Sequence, residues 1–122
     1  MAMNALLDTN ILVDYLNGVH KAQQELKHYA NPSISAISWM EVMVGCTEKT
    51  EAGTRSFLRG FAVVPVDEAV MELTVALRRA YKLKLPDAII WASAKSQGLL
   101  LITRNTKDFP ADLPGIRVPY TL

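Results

Sequence analysis

Four short apolar runs, separated by segments of helical length, restrict this chain to a small set of architectures. The plainest is Leu99–Thr103, an apolar run directly behind Gly98 that ends on a hydroxyl. An apolar run without polar alternation suits a strand covered on both faces, and such strands belong to parallel sheets. "ALL" at 5–7, "SISAIS" at 33–38 and "FAVVPV" at 61–66, limited by Pro65, are shorter runs of the same kind. "IRV" at 116–118 offers an edge strand. Helical spacing fills the intervals. A helix over 10–18 is stopped by Gly18, and one over 20–30 ends before Asn31-Pro32. Residues 39–46 return to helix, and 51–59 form another with Phe57 and Leu58 inward. Asp67 caps a long helix through Tyr81, with Val70, Leu73, Leu77 and Tyr81 on one stripe. Pro86 suits the first turn of a helix running to Ser96. The alternation predicts an α/β sandwich with a mainly parallel sheet.

With 122 residues, half of them hydrophobic, the chain fits one domain over 1–122. A net charge of +1 rules out a polybasic protein, so nucleic-acid contact requires a local patch. The lone Cys46 excludes an internal disulfide framework and a multi-cysteine zinc site. It suits a reducing compartment, so the expected location is the cytoplasm. No apolar run has the length of a membrane span, and the N-terminal residues do not read as a secretory signal.

In open parallel sheets, ligands bind outside the carboxyl ends of the strands. Asp8 follows "ALL", Glu41 lies about a turn beyond "SISAI", and Thr103, Asn105 and Asp108 follow "LLLI". Asp87 opens the helix before that last strand. Each acid has an ordinary explanation. Asp8-Thr9-Asn10 is a capping sequence. Ser38-Trp39-Met40-Glu41 reads as a capping box. Asp87 suits a helix N-terminus, and Asp108 suits a turn before Phe109-Pro110. None of these explains why four distant acidic segments fall on one sheet edge. Clustered carboxylates repel one another, and a divalent cation removes that cost. Oxygen donors alone suit Mg²⁺ or Mn²⁺ rather than Zn²⁺. The chemistry indicated is hydrolysis of a phosphodiester or phosphate ester.

"LLDTNIL", Ser38 to Glu41, "LPDAIIWASA" and "LLITRNTKDF" together resemble the PIN domain family, and within it the VapC-type toxins. The resemblance runs through essentially the whole chain. It implies a PIN-like three-layer α/β/α sandwich with a mainly parallel central sheet, and Mg²⁺- or Mn²⁺-dependent endoribonuclease activity. It also implies homodimerisation and a cognate VapB-type antitoxin that lays a C-terminal segment with a basic residue over the acidic pocket. DNA would be met only through that antitoxin. Asp8, Glu41 and Asp87 match the family's three main acidic positions. The fourth is Asn105 here, where some members have Asp, and Asp108 matches a further acid in the "KDF" variant. Asn105 is therefore expected to meet the metal through water or to orient a phosphate, and Asp108 to supply the missing charge. Thr9, Asn10, Ser38 and Thr103 are expected to support the site. Lys82, Lys84, Arg104 and Lys107 are candidate contacts to the RNA backbone. His20 and His28 read as surface residues, against a metal-free acid–base pair.

Four other readings compete. A housekeeping RNA-processing nuclease would use the same fold and chemistry. A phospho-acceptor receiver domain also has an acidic Mg²⁺ pocket, but needs paired acids after its first strand and a central acceptor Asp, which this chain supplies poorly. A D-x-D phosphatase is disfavoured by Asn10, and a catalytically silent binding module by the intact acids.

Overall fold

Residues alternate between two apolar layers along the central strands. In β1 (Ala5–Leu7), Leu6 faces one layer while Ala5 and Leu7 face the other. In β4 (Leu100–Ile102), Leu101 joins Leu6, whereas Leu100 and Ile102 join Ala5 and Leu7. This is the two-residue period of a strand, and it places a helical layer on each side. The computed structural model describes residues 4–109 and 112–122.

The elements follow in the order β1, α1 (Thr9–Leu16), α2 (His20–Leu26), β2 (Ser33–Ser35), α3 (Ala36–Val44) and α4 (Glu51–Leu58). Then come β3 (Ala62–Val64), α5 (Glu68–Tyr81), α6 (Leu85–Ser96), β4 and β5 (Ile116–Arg117). The sheet has five strands in the order β3-β2-β1-β4-β5, all pairings parallel. One layer is built on Val70, Leu77, Ile90 and Trp91 of α5 and α6. The other is built on Ile11, Leu12, Ala22, Val42 and Leu58 of α1 to α4. The expected three-layer PIN-like sandwich is thus observed, with a sheet that is parallel throughout. Asp67 caps α5 as expected, accepting from the Val70 N–H at 2.9 Å. Among the described residues, no helix is long and apolar enough to cross a membrane.

Boundaries depart from the sequence reading in two instructive places. "SISAIS" is not one strand: β2 stops at Ser35, and α3 begins at Ala36 rather than Trp39. Ser35 is the helix cap, its Oγ accepting from the Ile37 N–H at 3.2 Å and lying 3.2 Å from the Ser93 hydroxyl oxygen. Ser38 therefore lies inside the helix, and the expected Ser38–Glu41 capping box does not form. The helix expected to reach residue 30 ends at Leu26, where His28 and Tyr29 turn back on the Glu25 and Leu26 carbonyls.

Candidate active site

Asp8 extends β1 by one residue, its N–H donating to the Ile102 carbonyl at 2.9 Å. Thr103 does the same for β4, donating to the Arg117 carbonyl at 3.0 Å. Because Leu7 pairs with Ile102, the next residues, Asp8 and Thr103, leave the sheet side by side. The Thr103 hydroxyl donates to Asp8 Oδ2 at 2.7 Å, and the Thr9 N–H donates to Asp8 Oδ1 at 2.7 Å. Asp8 thus caps α1, as its sequence suggested, while its carboxylate remains part of the acidic edge. The Asn10 amide donates to Asp8 Oδ2 at 3.3 Å and accepts from the Arg104 N–H at 3.2 Å.

Thr9 connects this edge to α3. Its hydroxyl lies 2.8 Å from both Glu41 Oε1 and Ser38 Oγ. A carboxylate only accepts, so the Thr9 proton goes to Glu41 and the buried Ser38 donates to Thr9. Glu41 itself is exposed, one face of it free for solvent or substrate.

The loop after β4 completes the edge. The Asn105 amide donates to Asp108 Oδ2 at 2.9 Å and accepts from the Asp108 N–H at 3.2 Å. Asn105 thus meets Asp108 through both ends of its amide, which keep a second N–H and a second lone pair for the expected water-mediated cation contact or phosphate. Its position holds the acid three residues on. Phe109 behind it is buried against Trp91, while Pro110 of the expected turn lies outside the described residues.

Electrostatics join the four acids. Burial pushes the Asp8 carboxyl up to about 6, against the pull of Thr103 and the Thr9 N–H; the charges of Asp87 and Glu41 push the same way. Asp87 is also raised, by burial first, then by Asp108, with Lys84 opposing and Glu41 adding to the rise. A raised acid binds its proton more tightly folded than unfolded. The metal-free fold is therefore most stable from these groups at low pH, and loses that contribution as pH rises toward 6 and beyond.

Among the described residues, no three Asp, Glu, His or Cys side chains converge as a complete ligand set. Mg²⁺ does not require one. It binds through one or two carboxylates and keeps several waters. An all-oxygen edge on which Asp8, Glu41, Asp87 and Asp108 repel one another fits such an ion in donor chemistry and in charge.

The remaining candidates divide. Lys82, Lys84 and Lys107 are exposed, with Lys84 close enough to Asp87 to offset its rise. Arg104 is not a free phosphate contact: Nε and Nη2 grip Asp14 at 2.7 and 3.0 Å. His20, exposed on α2, contacts Gln24, and His28, exposed in the turn after α2, faces Glu25. The sequence reading missed Asp14 and Glu25, which are 5% and 4% exposed. Glu25 accepts from Arg117 at 2.8 and 3.1 Å and from the Tyr29 hydroxyl at 2.6 Å. One signal was available: Asp14 lies three residues after buried Ile11, on the inward face of its helix.

The PIN domain family model matches residues 5–111. A toxin–antitoxin complex from Klebsiella pneumoniae contains a chain 49% identical to this one, with a TM-score of 0.92, covering 97% of this chain and 99% of that one. FitAcB from Neisseria gonorrhoeae is 26% identical, with a TM-score of 0.82 and coverage of 98% and 100%. DNA-bound VapBC from Salmonella typhimurium is 25% identical, with a TM-score of 0.78 and coverage of 96% of each chain. No curated protein matches. The chain belongs to the PIN domain family.

Proposed function

We propose that this chain is a Mg²⁺- or Mn²⁺-dependent endoribonuclease and the toxin of a toxin–antitoxin pair. The observation that carries the reading is the carboxyl edge of the sheet, where Asp8, buried and pushed up to about 6, meets the charges of Asp87 and Glu41. Asp8 and Asp87 would hold the cation, with Asp108 supplying a third carboxylate beside Asp87. The ion, when bound, would neutralise charge on the phosphate oxygens during in-line attack by water. Glu41, exposed and bonded by Thr9, would accept a proton from that water. Thr103 fixes the Asp8 carboxylate, and Asn105 fixes Asp108. Lys82, Lys84 and Lys107 would meet the RNA backbone.

The toxin reading takes support from the 49% identity to the Klebsiella pneumoniae complex. It implies a VapB-type antitoxin, a homodimer, contact with DNA only through the antitoxin, and action on RNA in the cytoplasm. An apolar groove lined by Val13, Leu16, Val42 and Gly45 opens beside Glu41, and suits an apolar segment of such a partner. Val13 and Leu16 are 40% and 41% exposed there. Expression of the chain alone should arrest bacterial growth, and co-expression with the protein encoded beside it should restore growth. Harmless high-level expression of active chain without a partner would favour the housekeeping RNA-processing nuclease instead.

A further inference from the structure

We propose that Asp14 and Tyr120 are positioning residues for the loop over 103–108, acting through Arg104 on Asp108 and on the Thr103 contact to Asp8. The inference rests on the nuclease reading above and adds to it the segment after β5. Arg104 stands between two residues that each hold an acid. Thr103 bonds Asp8 at 2.7 Å, and Asn105 bonds Asp108 at 2.9 Å. The orientation of Arg104 therefore sets how both neighbours leave the strand. That orientation is fixed at two points. Its N–H donates to Asn10 Oδ1 at 3.2 Å, and its guanidinium grips Asp14 with two bonds. A forked guanidinium–carboxylate pair is directional, so it fixes the side chain in one plane rather than merely nearby.

Tyr120 then fixes Asp14. Its hydroxyl donates to Asp14 Oδ2 at 2.8 Å, the same oxygen that accepts from Arg104 Nε. Tyr120 is 9% exposed, and burial followed by the Asp14 contact holds its hydroxyl proton well above the ordinary range. The Lys21 ammonium on α2 donates to the Thr121 carbonyl at 3.2 Å and fastens the same segment. The order of influence is Tyr120, Asp14, Arg104 and then the acid-bearing loop. Among the described residues, none of the first three hydrogen-bonds Asp8, Asp87 or Asp108.

A purely structural cluster would stabilise the fold without changing how the folded protein holds a cation. Mn²⁺ affinity, measured on the purified chain well below its melting temperature, separates the two cases. Tyr120→Phe keeps the ring and removes the hydroxyl, and should weaken Mn²⁺ binding about threefold. Asp14→Asn should weaken it about tenfold, within the range seen when groups behind metal ligands are changed. The double variant should match Asp14→Asn, because Tyr120 acts through Asp14. Wild-type Mn²⁺ affinity in folded Tyr120→Phe and Asp14→Asn would overturn the proposal, as would additive losses in the double variant. Should Asp14→Asn not fold, Tyr120→Phe decides alone. A wild-type chain that binds no Mn²⁺ would instead overturn the nuclease reading, and this inference with it.

Discussion

Asp87→Asn should reduce RNA cleavage by more than about a hundredfold, beyond the usual cost of losing a group that only supports a metal ligand. The fold should survive. Asp87 is half-buried in the first turn of α6, and Pro86 and the backbone start that helix without it. In the metal-free protein the variant should melt higher than wild type at neutral pH. The carboxylate there is raised by burial first, and then by the charges of Asp108 and Glu41, so its ionised form costs the fold on both counts. Asn resembles the protonated acid, so the advantage should shrink as pH falls, and the two proteins should melt together near pH 4. Glu25 does not confuse the comparison. Burial pushes it up, but its bonds to Arg117 and Tyr29, with the charges of Arg117 and His28, hold it below its ordinary value, so its contribution is lost at low pH in both proteins alike. Thermal melts of both proteins from pH 4 to 8, without metal, check this. A lower melting point for Asp87→Asn across that range would mean that the acid serves the helix N-terminus instead.

Phe109→Ala should cost ~3–5 kcal/mol, a large share of the ~5–15 kcal/mol that holds a domain together. Phe109 is fully buried and among the largest such side chains in the protein. Its ring meets Trp91 edge-on, with centroids 5.9 Å apart, and Trp91 in turn leans on Tyr81 at 4.9 Å. The residue also closes the acidic loop, its N–H donating to the Asn105 carbonyl at 3.1 Å. The truncation thus opens a cavity beneath α6 and loosens the anchor of Asp108. Phe109→Leu fills most of the space and should cost about half as much. Denaturant unfolding of both variants tests this. A loss below ~1 kcal/mol for the alanine variant would show that the loop is not held from beneath.

The sheet was legible because its signal is local. An unbroken apolar run such as Leu100–Ile102 has few alternatives when a helix precedes it, and Asp67 announces α5 within its own first turn. "SISAIS" was not separable from sequence, since Ser, Ala and Ile suit a buried strand and a buried helix start equally. The deciding contact, Ser93 on Ser35, comes from 58 residues away. Tyr81 was expected inward on its stripe. It is 44% exposed, yet it still covers Trp91. The acidic edge could be located because strand ends and acids coincide in the sequence. The roles of individual polar residues could not. Arg104 looked like a free cation beside Asn105, and nothing local singled out Asp14. Burial of an acid becomes tolerable only once its partner is known, and here that partner is 90 residues distant. Asn105 illustrates the same limit, because only the turn of the chain directs its amide to Asp108 rather than outward.

The most direct test of the account is cleavage of a structured RNA by the purified chain, freed of any partner, with Mn²⁺ or Mg²⁺ and with a chelator in excess. Asp8, Glu41, Asp87 and Asp108 supply oxygen donors and mutual repulsion, which a bound cation would relieve. Cleavage should therefore appear with the metal, vanish in chelator and return when metal is restored. Cleavage undiminished in excess chelator would contradict the assignment of these carboxylates and move the mechanism to residues elsewhere in the chain.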